Sequence, residues 1–467
     1  MLWVGGIIIL DVNKQSAKKI ILITVIIIII YICMSLFFKS HFYFGTIING
    51  INISGKTVDM AEKTINSKVG AYNISLEERN DAVENITGKE INLKYNKNEI
   101  LDNIINKQNS GIWIYEIFKN KNYIYDKMFN YDVELLKEKF EKLNCLNDEK
   151  IIEPKSASLK FNGMKYEIIN EVYGNKVKKD ELFNNIKEAI KDGKLKINIE
   201  EAKCYEKPIY TSNSLELIEA KKICDKYVSS KIVYTFDEVT ETIDGGLISC
   251  WIAIDENLNV KIDKEKIKEY VQGLSERYDT YGKTRIFTTS IGKEVEVKGG
   301  NYGFRMDKDK EYIELINAIE SGQSIVKEPV YIQKGKNRGD NDIGRTYVEV
   351  NITRQQLWFY KDGELVTRGS VVTGNVGRGW KTPNGTYVLN YKQKDAVLRG
   401  DNYASKVKYW MPFNGNIGLH DASWRGAFGG NIYKTDGTHG CVNLPSYLAK
   451  KIFENIEEGT PVICYTE

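Results

Sequence analysis

The amino-acid sequence predicts a multidomain protein with one N-terminal transmembrane helix, two α+β repeats and a C-terminal, mainly-β domain. Three observations predict this organisation: a long uncharged apolar run near the N-terminus, an internal repeat at an offset of 129 residues, and strand patterns over the last 120 residues. A chain of 467 residues is long enough for about three domains of roughly 150 residues each. Lysine and arginine (66) nearly balance aspartate and glutamate (63), so charge does not indicate a nucleic-acid partner.

The apolar run extends from Ile20 to Phe38, nineteen residues without a charge. As a helix it is about 30 Å long, which matches the hydrocarbon core of a bilayer. Three lysines precede the run and Lys39 alone follows closely, so the positive-inside rule predicts a cytoplasmic tail at 1–19 and an extracellular remainder. A cleaved signal peptide is the alternative, but the run exceeds a typical signal h-region and no A-x-A-like site follows before His41. The sequence therefore predicts a single-pass protein held in the cytoplasmic membrane by residues 20–38.

Two stretches after this segment match each other without a gap. The matched residues are Tyr173, Gly174, Asp180, Ala189, Ile190 and Gly193, which superpose on Tyr302, Gly303, Asp309, Ala318, Ile319 and Gly322. In each copy a β-like stretch leads into Tyr-Gly, and then into a helix that has apolar residues at spacings of three and four and a glycine at its C-terminal end. This pattern predicts a duplicated α+β module, with copies at 75–200 and 205–328 after a juxtamembrane lead-in at 39–74.

The repeats are followed by a polar, glycine-rich stretch and then by strand patterns. The stretch K-G-K-N-R-G-D-N-D-I-G predicts a linker at 329–345. Beyond it, 347–352 alternates polar and apolar residues, 357–360 is aromatic, and Asp362-Gly363 is typical of a hairpin turn. A mainly-β domain is therefore predicted at 346–467.

Two of the three histidines, His420 and His439, lie close to Cys441 in the segment G-L-H-D-A-S-W-R-G-A-F-G-G-N-I-Y-K-T-D-G-T-H-G-C-V-N-L-P. The thiolate is the nucleophilic form of cysteine, so a catalytic cysteine needs a nearby base, and either imidazole is a candidate. Gly440 removes a side chain beside the thiol, which lets backbone N–H groups approach the place where an oxyanion would form. The segment suits acyl transfer. A zinc site made of the same three side chains is the alternative that ligand chemistry allows.

His420, seventeen intervening residues and then T-H-G-C-V-N resemble the signature of the L,D-transpeptidase (YkuD-type) catalytic domain. The resemblance continues through V-E-V-N-I-T-R-Q-Q-L-W-F-Y-K-D-G, V-V-T-G-N-V-G-R-G-W-K-T-P-N-G-T-Y and G-T-P-V-I-C-Y. It implies that Cys441 is the nucleophile, that His420 accepts and returns the proton, and that the backbone carbonyl of Asp421 orients the imidazole. It also implies an oxyanion hole of backbone N–H groups at His439, Gly440 and Cys441. The substrate-binding positions that it implies are Thr438, Asn443, Trp424 and Tyr409, and it implies no metal and no cofactor.

The two repeats resemble the peptidoglycan-binding repeats that precede the catalytic domain in clostridial-type wall enzymes, and 48–61 resembles their juxtamembrane lead-in. Spacers that hold the catalytic unit away from the membrane remain an equal alternative. The chain's seven cysteines lie far apart without a C-x-x-C pair, and we predict no obligatory disulfide.

The resemblances together imply an enzyme that acts on peptidoglycan stem peptides at the cell wall. Attack on a tetrapeptide donor would release D-alanine and leave a thioester, and a neighbouring stem would then accept the acyl group to form a 3-3 cross-link. Such a thiol is also a target for acylation by carbapenems. Water as acceptor would make the protein an L,D-carboxypeptidase, and a D-amino acid would give exchange. A wall-binding protein without catalysis and a cysteine endopeptidase remain as rivals, and the oligomeric state stays open.

Overall fold

The computed structural model describes residues 14–97, 99–119, 121–125, 128–339, 341–400 and 403–467. Most of the predicted cytoplasmic tail, residues 1–13, lies outside the described residues. The chain divides into two compact units. The first comprises Met1–Ser158 with Ile169–Ser214, and the second comprises Leu159–Ile168 with Leu215–Glu467.

The first helix, α1 (Lys14–Phe37), contains nearly all of the predicted transmembrane segment, and none of its residues is buried. It is long and apolar enough to cross a membrane. Its run of isoleucines has only a modest helix propensity in water, because β-branched side chains lose rotamer freedom in a helix. In a bilayer the same run forms a helix because every backbone hydrogen bond has to be made within the segment.

The first copy of the repeat lies in the first unit, apart from one hairpin. The helices of this region are α2 (Val58–Gly70), α3 (Ile100–Asn106), α4 (Trp113–Glu116), α5 (Val133–Glu141) and α6 (Lys179–Asp192). Its strands are β1 (Thr46–Ile48), β2 (Ile51–Asn52), β3 (Asn73–Glu77), β4 (Val83–Thr87), β5 (Lys94–Tyr95), β6 (Lys121–Tyr123), β7 (Phe129–Asn130), β8 (Ser158–Phe161), β9 (Tyr166–Ile169) and β10 (Lys196–Asn198). The sheet β10-β3-β4 shares an apolar core with α2 and α6.

From α5 onward the elements of the first copy recur in the second copy at about the expected offset. Its helices are α7 (Leu215–Val228), α8 (Gly245–Ser249), α9 (Lys264–Tyr278) and α10 (Lys308–Ser321). Its strands are β11 (Lys231–Phe236), β12 (Val239–Ile243), β13 (Ile252–Ile254), β14 (Val260–Ile262), β15 (Arg285–Thr288), β16 (Glu294–Val297), β17 (Arg305–Met306), β18 (Ser324–Lys327) and β19 (Tyr331–Gln333). Helices α6 and α10 end at Gly193 and Gly322, with φ of 67° and 72°, as the pattern predicts. The two α+β repeats are thereby confirmed, while the exact domain boundaries stay predictions.

A β-hairpin from each copy packs against the module that follows it. In β8–β9, Tyr166 is buried in the core of the second repeat, and its N–H donates to Asp225 at 2.8 Å. In β15–β16, Phe287 and Val297 share a cluster with Ile463 and Tyr465 of the C-terminal domain. The hairpin β15–β16 is therefore part of an apolar core that it shares with the C-terminal domain.

Two polar contacts reinforce this second hairpin. The N–H of Ser290, in the β15–β16 turn, donates to both carboxylate oxygens of the fully buried Glu349, at 3.1 and 3.0 Å. The same carboxylate accepts the hydroxyl of Tyr465 at 2.7 Å. Burial of this carboxyl group is tolerated because these hydrogen bonds replace those it would make with water.

The predicted linker at 329–345 is packed rather than free along much of its described length. It contains β19, which pairs with β17. The carboxylate of Asp342 is buried and lies 2.6 Å from the guanidinium of Arg285, while Ile343 joins the apolar cluster under the hairpin. Local composition predicts a loop here, but a partner 57 residues away in the sequence determines how the loop packs.

The C-terminal domain is mainly β, as predicted. Its elements are β20 (Tyr347–Asn351), β21 (Gln356–Lys361), β22 (Glu364–Ser370), β23 (Gly385–Val388), β24 (Gln393–Gly400), β25 (Tyr403–Asn414), β26 (Ile417–Asp421), α11 (Ile432–Thr435), β27 (Val442–Leu444), α12 (Ser446–Asn455) and β28 (Pro461–Tyr465). A five-stranded sheet, β22-β21-β20-β28-β23, and a four-stranded sheet, β24-β25-β26-β27, enclose the core with α12. The parallel pair β26–β27 places two distant parts of the motif side by side.

Candidate active site

The register of β26 and β27 pairs His420 with Asn443, and Cys441 comes immediately before β27. The two strands therefore bring a thiol and an imidazole to one cavity of about 220 Å³. Its lining residues are Leu398, Ser405, His420, Trp424, Arg425, Gly437, Thr438, His439, Cys441 and Asn443. Most of the site residues predicted from the sequence are brought together here.

The ring of His420 is buried and has a hydrogen-bond partner on each nitrogen. Nδ1 lies 2.9 Å from the backbone oxygen of Asp421, and Nε2 lies 3.0 Å from Nδ2 of Asn443. Oδ1 of Asn443 accepts from Nε of Arg425 at 2.8 Å. Because a guanidinium only donates, it fixes which end of the Asn443 amide faces the ring. From this hydrogen-bond network we assign the proton to Nδ1 and leave Nε2 as an acceptor.

The environment of His420 favours a neutral ring. Burial lowers the pKa of His420 below its ordinary value, because the charged imidazolium loses hydration. The carboxylate of Asp421 does not face the ring, since its Oδ1 accepts the N–H groups of Lys408 and Tyr409 at 2.8 and 2.9 Å. Only the backbone oxygen of Asp421 is left for the imidazole.

Cys441 is partly buried and its thiol is held in the protonated form. Sγ lies 3.5 Å from the carbonyl oxygen of Asn416, and its other polar neighbour is the N–H of Gly418. Burial raises the pKa of Cys441 to about 11, because the thiolate loses hydration, and part of the residue packs against the apolar cluster of Ala396, Val407 and Trp410. Among the described residues no hydrogen bond joins the thiol to His420. The raised pKa of Cys441 and the lowered pKa of His420 both favour the neutral form, so a neutral thiol and a neutral imidazole share one cavity.

The T-H-G-C loop is closed by the hydroxyl of Thr438. This hydroxyl donates to the carbonyl of Cys441 at 2.5 Å and accepts the N–H of Gly440 at 3.0 Å. Gly440 has φ of 117°, a conformation that disfavours any residue with a Cβ, and a Cβ there would lie 3.1 Å from the side chain of Ile417. The N–H of Gly440 is one of the three that the family resemblance assigns to the oxyanion hole. In this structure it donates to the hydroxyl of Thr438 instead.

The aromatic residues separate into those at the cavity and one outside it. Trp424 is exposed beside the cavity, with its ring 6.1 Å from that of His420. Tyr409 does not line the cavity, because its ring packs on Phe453 of α12 at 5.2 Å. Successive residues of a strand face opposite sides of the sheet. Trp410, the next residue, therefore faces His420, and the centres of the two rings lie 5.8 Å apart.

Sequence reasoning missed three residues that shape the site. Arg425 lies within the quoted H-D-A-S-W-R segment, but the path of its loop has no sequence signature. Trp380 stacks on the ring of His439 at 4.1 Å, and it belongs to the second stretch of the resemblance. Asn416, whose carbonyl faces the thiol, lies in the turn between β25 and β26, and nothing in the sequence marks it.

Family models match the C-terminal domain and both copies of the repeat. The YkuD model, an L,D-transpeptidase catalytic domain, matches residues 345–464. The PG_binding_4 model, a peptidoglycan binding domain, matches residues 84–198 and 210–327. No curated protein sequence matches the chain.

Several solved structures are similar to the chain. The carbamoyl enzyme that Ldtfm forms with avibactam is 32% identical, with a TM-score of 0.45, over 54% of this chain and 99% of that chain. A cysteine-to-serine mutant of an Enterococcus faecium L,D-transpeptidase is 32% identical, with a TM-score of 0.44, over 53% of this chain and 100% of that chain. The E. faecium catalytic domain acylated by ertapenem is 38% identical, with a TM-score of 0.25, over 26% of this chain and 98% of that chain.

Proposed function

Because the chain belongs to the L,D-transpeptidase family, we propose that it joins peptidoglycan stem peptides through a thioester on Cys441 and forms 3-3 cross-links. The observation that carries this proposal is the meeting of the Cys441 thiol with the buried His420 imidazole, whose Nε2 is unprotonated. A neutral thiol beside a neutral base is a competent resting state for general-base attack.

In the acylation step the thiol sulfur of Cys441 bonds to the carbonyl carbon between the third and fourth residues of a tetrapeptide stem. The thiol proton passes to Nε2 of His420, and the ring becomes an imidazolium held by the carbonyl of Asp421. The C–N bond then breaks, the imidazolium gives its proton to the leaving amine of D-alanine, and a thioester remains.

In the second step an amine on the third residue of a neighbouring stem attacks the thioester carbon. His420 accepts a proton from this amine, the C–S bond breaks, and the proton returns to the sulfur of Cys441. Water in place of the amine gives L,D-carboxypeptidase activity, and a D-amino acid gives exchange.

Negative charge on the attacked oxygen is stabilised by backbone N–H groups of His439, Gly440 and Cys441. The N–H of Gly440 first has to leave the hydroxyl of Thr438, to which it donates at 3.0 Å. Donors aimed at the developing oxyanion stabilise the transition state more than the ground state. Thr438 and Trp424, which line the cavity, contact the substrate.

Asn443 and Arg425 act as positioning residues for His420. The guanidinium of Arg425 fixes the amide of Asn443, which in turn keeps Nε2 free of a proton. For proton transfer the thiol takes the place of the Asn443 amide at Nε2. This pair thus sets the tautomer that the base needs.

Helix α1 anchors the protein in the cytoplasmic membrane, with its N-terminus inside and the catalytic domain at the cell wall. The lysines before the apolar run and the wall-acting domains after it support this orientation. The two repeats bind peptidoglycan and carry the catalytic domain. Because the E. faecium catalytic domain is acylated by ertapenem, acylation of Cys441 by carbapenems is part of the proposal.

The test is mass spectrometry of disaccharide-tetrapeptide incubated with the full chain, with its Cys441→Ala variant and with Cys250→Ala. Cys250 is exposed and lies in the second repeat, so its loss controls for general thiol effects. A dimer lighter than two monomers by one D-alanine, made by the parent and Cys250→Ala but not by Cys441→Ala, supports the proposal. Tripeptide alone indicates a carboxypeptidase. No Cys441-dependent product with stems of either third residue, diaminopimelate or lysine, excludes catalysis and leaves the wall-binding alternative.

A further inference from the structure

The first repeat carries an insertion that the second repeat lacks. In the second repeat the antiparallel strands β13 and β14 are joined by residues 255–259. The corresponding strands β5 and β7 are separated by residues 96–128, which include α3, α4 and β6. Helices α5 and α9 follow these strand pairs, with N-caps at Asp132 and Asp263, so the alignment of the two copies resumes after the insertion.

The insertion exposes large apolar side chains close together. Ile112, Ile114, Tyr115 and Phe118 are 47%, 48%, 66% and 83% exposed. Apolar side chains clustered on one surface segment mark an interaction site more often than single exposed residues do. This segment, Ile112–Phe118, is called the apolar segment below.

The apolar segment lies against the membrane helix. The hydroxyl of Tyr31 in α1 donates to the carbonyl of Gly111 at 2.5 Å. The ring of Trp113 lies 6.4 Å from that of Tyr31 and 5.9 Å from that of Phe38. These contacts fix the height of the segment along α1.

That height lies within the apolar part of α1. Tyr31 precedes Lys39 by eight residues, which is about 12 Å along a helix. Side chains of a helix tilt towards its N-terminus, so the hydroxyl of Tyr31 is no closer to Lys39 than its backbone is. Interfacial apolar segments lie about 5–10 Å inside the boundary between headgroups and acyl chains, and the position of Gly111 is comparable.

The residues around the apolar segment match the composition of a membrane interface. Trp113 and Tyr115 belong to the side-chain types that are enriched at headgroup level. Lys107, Lys119 and Lys121 flank the segment, and Glu116 pairs with the last two. The excess of positive charge suits anionic headgroups.

We propose that the apolar segment inserts into the outer leaflet beside α1 and attaches the first repeat to the bilayer at a second point. This inference rests on the proposed membrane anchoring by α1. The partner is a lipid surface, because the segment is joined to the one helix of the described residues that is able to span a bilayer.

The test places the photo-reactive residue p-benzoylphenylalanine at single positions of the full chain in phosphatidylethanolamine–phosphatidylglycerol vesicles. Phe118 is the test position, and Ile26 in α1 is the positive control. Ile209 is the matched control, since it lies in the same unit and is 83% exposed, as Phe118 is. After irradiation, lipid adducts are counted by mass spectrometry.

We expect Phe118 to form lipid adducts at about fivefold or more the yield at Ile209, because an inserted side chain contacts lipid continuously. Adducts at Ile26 but not at Phe118 overturn the inference and leave the membrane anchor in place. Adducts at neither position refute the anchor itself. Cross-linking of Phe118 to a second protein copy instead of lipid also overturns the inference.

Discussion

Alkylation of Cys441 by iodoacetamide is expected to be slow at neutral pH and to accelerate steeply with pH. The buried thiol has its pKa raised to about 11, whereas a free cysteine has a pKa of about 8.5. At pH 7 about one Cys441 in 10⁴ is then a thiolate, compared with about 3% of a free thiol. Because only the thiolate reacts, the thiolate fraction alone makes Cys441 roughly 300-fold slower than an unperturbed cysteine in a short peptide, and about tenfold faster for each pH unit up to about pH 10.

The assay measures the alkylated fraction of the Cys441 peptide by mass spectrometry over time, at a series of pH values and without substrate. Cys441→Ser confirms the peptide assignment. His420→Ala should keep the same slope, because the resting thiol has no hydrogen bond to the ring among the described residues. A rate that is already at its plateau at pH 7 would refute the reasoning, since it requires a thiolate–imidazolium pair before substrate binds.

Four further outcomes follow from the structure. Asn443→Ala should slow acylation by a carbapenem about three- to tenfold, because one hydrogen bond of roughly 0.5–1.5 kcal/mol no longer orients the base; an unchanged rate contradicts the positioning role. Gly440→Ala should abolish turnover while the circular dichroism spectrum stays unchanged, since a residue with a Cβ is strained at φ of 117°; an active variant contradicts this. Asp342→Ala should lower the free energy of unfolding in urea by about 3–5 kcal/mol, because Arg285 is left buried and unpaired; a loss below about 1 kcal/mol would show that the pair is not buried in solution. The acid limb of kcat/KM should lie below pH 6.5, because burial lowers the pKa of His420 and the neutral base therefore persists at lower pH; a limb above pH 6.5 contradicts the burial.

The meeting of Cys441 and His420 could be predicted from sequence because both belong to one short motif. The tautomer of His420 could not be predicted, since it depends on Arg425 reaching Asn443 across a loop whose path no periodicity describes. Tyr409 shows the same limit on a smaller scale. In a strand, a shift of one residue decides which face a side chain occupies, and the pattern around β25 did not separate Tyr409 from Trp410.

The repeats were predictable because duplication leaves matched residues at a constant offset, as the glycines that end α6 and α10 show. The packing of 329–345 was not predictable. Its glycine-rich composition is typical of a flexible connection, but Asp342 pairs with Arg285, a contact between residues far apart in the sequence. Composition predicts the flexibility of an isolated segment, but it does not predict which distant residues the segment contacts in the folded protein.

The hairpin β15–β16 makes the second repeat and the C-terminal domain one mechanical body. Sliding the two past each other would pull Ser290 away from the buried Glu349 and leave its carboxylate with the Tyr465 hydroxyl as its remaining described donor, which costs several kcal/mol. The C-terminal domain, which contains the cavity at Cys441, therefore cannot rotate relative to the second repeat about the segment that joins them. The angle between the second repeat and the Cys441 thiol is thus set when the chain folds. Under the proposed function, a glycan strand held by the second repeat would present its stem peptides to the thiol from one fixed direction.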